Sequence, residues 1–384
     1  MKVCKTGILP GAVAALAIVI AVLASCGGSH GSIRKGDEGR TVEMDYAENL
    51  EVAECAGYTL VTVRNPWDTV RSLQRYILID RDSAVPRELP SGTVVRTPLS
   101  DVLVYSTVHG GLIEELGAVD AVGGMCNTDY VGSPELKARL ADGRIADCGV
   151  SMSPDIEKII ELRPQAILLS PFENNDKYAK VGELGIPIIE CADYMETSAL
   201  GRAEWVKFYG MLLGKDKEAR EIFSTTERRY NDLKKLAATA QSRPKVLTDQ
   251  RYGQVWNVPG GNSTIGRLIE DAGGINPFSG FPQSGSVPLA PEKVLGMAHD
   301  ADIWFVKFNQ EKEKTMAELA ADAPVNPRFK AYREGNVFGC NTRYIDYYEE
   351  TPFHPDLLLE DMMRCMHPDL EVPSSGKTYY TKMK

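Results

Sequence analysis

The sequence predicts an α/β protein: two Rossmann-like three-layer lobes joined by a single long α-helix, with an N-terminal β-rich extension. Three observations predict it. Short apolar runs alternate with amphipathic runs over 94–214 and again over 242–384, the rhythm of parallel sheets covered by helices. Between them, 215–241 carries no strand signal. One unit also occurs in both halves: Glu157-Lys158-Ile159-Ile160 returns as Glu292-Lys293-Val294-Leu295, each just after a proline and before an apolar run.

At 384 residues the chain has room for two domains. Its 43% hydrophobic and 25% charged residues are those of an ordinary globular protein. Net charge is −10, and Lys2 and Lys5 are the sole charges of 1–25, so the remainder carries −12. No basic block exceeds two residues. Nucleic-acid binding is excluded on that ground, because phosphate contacts need clustered cations.

The N-terminus reads as an address. Residues 1–25 combine a positive start, the apolar run 7–24 and small residues before a cut, which is a signal peptide. Leu23-Ala24-Ser25-Cys26 resembles the lipobox of bacterial lipoproteins, with Cys26 lipidated and 26–40 a flexible tether. The competing reading is a transmembrane anchor. Either way the bulk of the protein lies outside the cytoplasm, in the cell envelope on the periplasmic face. Of the remaining cysteines, Cys55, Cys126, Cys148, Cys191, Cys340 and Cys365, none forms a CxxC, and the sequence does not choose among their pairings.

Residues 41–93 are β-rich, with strands predicted over 58–63 and 76–79. In the first lobe, 94–214, strands are predicted over 102–105, 121–124, 166–169 and 186–189. Helices are predicted over 110–116, over 155–162 with Ser153 as N-cap and Pro154 at N1, and over 177–184. One helix over 199–213 closes at Gly214. The connecting helix runs over 215–240. In the second lobe, strands fall over 245–248, 303–308 and 336–338. Helices follow the Gly260-Gly261 turn, with Ser263 and Thr264 as caps, and fill 292–298 and 355–366.

The order Leu116-Gly117-Ala118, Glu157 to Leu169, Leu184-Gly185-Ile186-Pro187, Leu268 to Gly274, Glu292-Lys293-Val294-Leu295 and His367-Pro368 resembles a known family. These are the substrate-binding proteins of ABC importers with a rigid helix between two lobes, serving ferric siderophores, haem and cobalamin. The resemblance covers roughly 94–370. It implies that Glu157 and Glu292 dock onto arginines of a two-fold related permease dimer that works with ATPase subunits. A plainer reading is that each opposes its helix macrodipole.

In such a protein the ligand sits between lobes, where loops leave the carboxyl ends of strands. The candidates are His109, Asn127, Tyr130, Phe172 and Glu173 from the first lobe, and Tyr252, Trp256, Lys307, Asn341 and Tyr344 from the second. They form an aromatic set with scattered polar groups, suited to a large, flat metal chelate. Cobalamin-binding members carry aromatics where this chain has Ser151, Ser286 and Asn127, which lowers cobalamin among the cargoes.

The expectation is a monomeric lipoprotein that hands a metal chelate to an inner-membrane permease. It has no covalent chemistry and no cofactor or metal of its own, and touches the membrane through its lipid alone. Two alternatives stand beside it. A bare Zn or Mn binder needs about three converging His, and beyond the tether the chain has His109, His299, His354 and His367. An exported chelatase-like enzyme acting on haem or corrinoid would need a catalytic motif, and the sequence shows no P-loop, GxSxG or HExxH.

Overall fold

A computed structural model describes residues 39–68, 70–172 and 178–384 of the chain. The expected signal peptide, Cys26, most of the tether and Glu173 lie outside the described residues.

The extension is a five-stranded sheet of β1 (Arg40–Val42), β2 (Leu50–Cys55), β3 (Tyr58–Arg64), β4 (Ser72–Asp80) and β5 (Thr93–Thr97), in that order. β1 to β4 are antiparallel, and β5 runs parallel to β4. The expected lobe boundary at 94 therefore falls inside β5, which belongs to the extension.

The extension packs on the first lobe. The Tyr76 hydroxyl donates to the Ile188 carbonyl at 3.0 Å and accepts from the Glu190 amide at 2.7 Å. Two buried carboxylates hold the segment between β1 and β2. Glu204 accepts from the amides of Asp45, Tyr46 and Ala47, and Glu196 from those of Glu48 and Asn49 and from the Trp205 indole.

The first lobe contains β6 (Val102–Val104), α1 (Thr107–Glu115), β7 (Val122–Met125) and α2 (Pro134–Ala141). They are followed by β8 (Ala146–Asp147), β9 (Gly149–Val150), β10 (Ser153–Pro154), α3 (Ile156–Leu162), β11 (Ala166–Leu169), α4 (Ala179–Gly182) and β12 (Ile188–Glu190). Its main sheet has the order β12-β11-β6-β7-β8, all parallel. The strands are apolar on both faces, as a covered parallel sheet requires. Val102, Val104 and Leu168 face one cluster with helix residues Leu112, Ile113 and Leu136, while Leu103, Ile167 and Leu169 face another with Ile159 and Val181.

Ser153 and Pro154 pair with β9 instead of opening α3. The cap is Asp155, whose carboxylate accepts from the Lys158 amide at 3.1 Å. The helix expected over 199–213 is divided at Trp205 into α5 (Ala199–Glu204) and α6 (Val206–Leu213), and Gly214 ends α6 at φ 65°.

α7 (Asp216–Ala237) is the connector, with acids in its first turn and Lys234 and Lys235 in its last, matching the helix dipole. Its Ala219 and Phe223 enter the first-lobe core, and Tyr230, Leu233 and Ala237 enter the second. One helix thus ties both cores.

The second lobe runs through β13 (Val246–Thr248), β14 (Trp256–Pro259), α8 (Thr264–Asp271), β15 (Ser286–Leu289), α9 (Pro291–Ala298) and β16 (Ile303–Phe308). It continues with α10 (Met316–Asp322), α11 (Lys330–Arg333), β17 (Val337–Asn341), α12 (Tyr347–Glu350), α13 (Pro355–Met366) and β18 (Thr381–Lys382). Its sheet order is β13-β16-β17-β18, with only β18 antiparallel. Ser263 caps α8, as expected, by accepting from the Gly266 amide. β14 and β15, an antiparallel pair with α8 between them in the chain, carried no sequence signal that stood out.

Candidate functional site

The first-lobe sheet reverses its winding between β6 and β11, since later strands are added on both sides of β6. Loops at such a switch point diverge and leave a crevice at the carboxyl edge. That edge carries the loops after β6, β7 and β11.

Asn127 stitches this rim. Its Nδ2 donates to the Tyr105 carbonyl at 3.1 Å and to Ser151 Oγ at 2.9 Å, and its Oδ1 accepts from the Ser151 amide at 3.1 Å. The residue has φ 56°, a left-handed conformation that Asn tolerates better than most. Asn341 does the same work at the end of β17. Its Nδ2 donates to the Gln310 carbonyl at 3.0 Å, and its Oδ1 accepts from the Arg343 amide at 3.3 Å. Both asparagines were expected to touch cargo. Their amides instead bond backbone and loop partners in this structure, Asn341 buried and Asn127 partly exposed.

The aromatic candidates divide sharply. Tyr130, Tyr252 and Tyr344 are 68%, 88% and 64% exposed, and Phe172 is 43% exposed. Tyr130 sits on a single helical turn just after Asn127. Phe172 stacks on Tyr178 at 6.4 Å, and Tyr178 itself donates to the Ser170 carbonyl. The Tyr344 hydroxyl donates to the Glu311 carbonyl at 3.0 Å.

Trp256, by contrast, is 0% exposed, stacked on Trp304 at 5.7 Å with its Nε1 donating to the Thr248 carbonyl. It is core, not cleft, because β14 turns its ring under the sheet. His109 is 1% exposed: α1 points it inward, where Nε2 lies 3.2 Å from Asp193 Oδ1. Arg202 and Tyr209 share that carboxylate at 2.9 and 3.3 Å. Burial alone would raise the Asp193 pKa, but Arg202 and His109 outweigh it and hold the pKa below the usual value. His109 is thus buried with Nε2 on Asp193, away from the exposed loop surface.

Lys307, in the second lobe, keeps partial access. Its Nζ is 2.6 Å from Asp249 Oδ1 and 5.1 Å over the Tyr347 ring. Burial alone would lower the Lys307 pKa, but Asp249 and the tyrosines Tyr347 and Tyr348 raise it on balance, so the ammonium is retained. Two exposed residues beside these loops were missed from sequence, Met152 in the β9–β10 turn and Tyr348 on α12. The Tyr-Tyr pair at 347–348 was the available signal for the second.

The lobes meet at one side of these loops. Glu349 of α12 packs on Gly111 and pairs with Thr107 of α1, and Gly132 lies so close to Asp346 that a β-carbon there would collide with its carboxylate. His354 Nε2 reaches Glu115 Oε1 at 2.7 Å. Among the described residues no group of three or more His, Cys, Asp and Glu converges to hold a metal ion, and no helix is long and apolar enough to cross a membrane.

Glu157 and Glu292 occupy the second position of α3 and α9, respectively, and both are exposed. Among the described residues neither carboxylate has an ion-pair or side-chain hydrogen-bond partner. The two repeated units therefore fold alike and leave the same charge in water.

Residues 102–344 match the family described as periplasmic binding protein. The chain belongs to that family. A relative named an uncharacterized lipoprotein, from Methanocaldococcus jannaschii, is 31% identical over 311 residues, covering 77% of this chain and 73% of that protein. A cobalamin-binding protein of Halobacterium salinarum is 26% identical over 235 residues, 60% of each chain. Among solved structures, a periplasmic heme-binding protein from Pseudomonas aeruginosa shares the fold with TM-score 0.57 at 15% identity, over 74% of this chain and 98% of that one. The family match begins at β6, so it leaves out the β-rich extension.

Proposed function

We propose that this periplasmic binding protein is the lipid-anchored receptor of an ABC importer. It captures a metal chelate of the siderophore, haem or cobalamin type between its lobes and delivers it to the permease. The observation that carries this reading is the exposed aromatic set on loops at the carboxyl edges of both sheets: Tyr130 and Phe172 in one lobe, Tyr252 and Tyr344 in the other. Large aromatic faces left in water suit a flat or ring-rich ligand. Met152, Tyr348 and the Lys307 ammonium complete the surface that cargo would meet.

Glu157 and Glu292 are the docking charges in this reading. Their matched helix positions and lack of partners favour a two-fold related basic surface, and such charges steer encounter more than they add affinity. The relatives named lipoprotein and cobalamin-binding protein support the anchor and the cargo class.

The test is thermal unfolding of the purified chain alone and with cobalamin, haem, ferric catecholate, ferric hydroxamate, ferric citrate and Zn²⁺. A ligand at about 100 times its Kd adds roughly 2.7 kcal/mol, a visible shift. A shift with one chelate identifies the cargo; a shift with Zn²⁺ alone would replace the chelate reading with a bare-metal one.

A further inference from the structure

β7 and β8 run parallel, with Gly124 opposite Ala146 and Met125 opposite Asp147. The residue that follows each strand is a cysteine, Cys126 after β7 and Cys148 after β8, so continuing that register would bring the two side by side. Both are fully buried in the cluster that holds Leu103, Ile167 and Leu169, the opposite face of the sheet from Val102, Val104 and Leu168. Their side chains therefore leave the sheet on the same side. The Cys126 thiol donates toward the Cys148 carbonyl at 3.7 Å. A β-carbon built on Gly124, two residues back on that face, would stand 3.1 Å from Cys148 Sγ.

Neighbouring strands lie about 4.8 Å apart, and disulfides join Cα atoms roughly 4.4–6.8 Å apart. No sheet register among the described residues sets any two of Cys55, Cys191, Cys340 and Cys365 against each other. The structure holds all six as free thiols.

We propose that Cys126 and Cys148 are an oxidisable pair that closes to a disulfide when the chain folds outside the cytoplasm. The location rests on the function proposed above. The oxidant is a disulfide, such as a carrier protein's or oxidised glutathione. The two thiols lose two protons and two electrons, one S–S bond forms between them, and the oxidant's S–S bond breaks to give two thiols. Burial raises the Cys126 thiol to about 12 and the Cys148 thiol to about 11. Thiolate is the attacking species, so the bond forms while β8 docks and not after the core has closed.

The consequence falls on the cleft. The bond closes residues 127–147, which carry Tyr130, and ties that loop to the 149–154 hairpin. Asn127 and Ser151 join the same two segments by hydrogen bonds. The disulfide would fix the aromatic wall of the first lobe in its receptive position before cargo arrives.

The test uses the full chain in two preparations, one purified from the cell envelope and one refolded from the reduced state in a glutathione redox buffer. Each is denatured in N-ethylmaleimide without reductant, digested and weighed. The expected result is a linked pair of peptides carrying Cys126 and Cys148, two hydrogen masses lighter than the dithiol, with Cys55, Cys191, Cys340 and Cys365 alkylated. The Cys148→Ala variant should return Cys126 to the alkylated pool. Alkylation of both cysteines in the refolded chain, or linkage of either to another cysteine, overturns the proposal. Linkage in the refolded chain alone supports the pair and counts against an oxidising location.

Discussion

The same chemical problem, an ionisable side chain near the cleft, is solved differently in the two lobes. In the first, His109 turns inward and joins a buried network with Asp193, Arg202 and Tyr209. In the second, Lys307 pairs with Asp249 over the Tyr347 ring but retains some exposure, as does its partner. Under the proposed function, the first lobe would therefore offer cargo an aromatic rim over a buried polar network, and the second aromatics beside a charged pair. Cargo with a polar or anionic edge would sit with that edge toward the second lobe.

Three tests, using five substitutions, break or sharpen this comparison. The largest effect is expected within the second lobe itself, between two aromatics four residues apart. Trp256→Ala opens a core cavity and should cost about 3–5 kcal/mol in chemical denaturation. Tyr252→Ala, on the exposed turn, should stay within about 0.5 kcal/mol. Equal losses would show that the division between core and rim is wrong.

The second pair sets the lobes against each other. His109→Ala leaves Asp193 short of one partner and should cost about 1–3 kcal/mol of stability, with cargo affinity unchanged among molecules still folded. Lys307→Ala should weaken cargo binding about tenfold, some 1.4 kcal/mol. Titration calorimetry on both variants decides it; a cargo defect in His109→Ala of the same size would return that histidine to the cleft.

The smallest effect concerns the tie between the lobes. Burial alone would lower the His354 pKa, but its hydrogen bond to Glu115 and that carboxylate's charge raise it on balance. With the folded pKa raised, the stabilisation is complete below the ordinary value of about 6.5 and is lost as pH rises through the folded pKa. The pair is partly exposed, so about 1 kcal/mol or less is at stake. Glu115→Gln should flatten the slope of stability between neutral and mildly alkaline pH. An unchanged slope would assign it to another group.

Strands and helices with an apolar run or a clear period were legible from sequence. The spans 303–308 and 355–366 reappear as β16 and α13 without change. Ends set by competing caps were not. Ser153 suits an N-cap by type, but the β9–β10 pairing takes it, and Asp155 caps instead. The break at Trp205 left no trace either, since every residue from 199 to 213 is compatible with helix. The tyrosines that prove exposed were singled out because a loop tyrosine near a strand end stands out by position. Which of the aromatics face water was not legible, because Tyr252, in the loop after β13, and Trp256, at the start of β14, lie four residues apart and differ in what packs on them.

By itself the sequence determined the two-lobe α/β plan, the repeated glutamate unit and the connector, because each follows from period, composition and order along the chain. The tertiary structure alone decided that His109, Trp256 and Asn341 are buried, that Asn127 bonds the loop rim, and that Cys126 and Cys148 share one buried cluster. The physical reason is that partner choice depends on register and on which face a side chain leaves. A shift of one residue along a strand reverses that face, and no local pattern records the partner waiting on the other side.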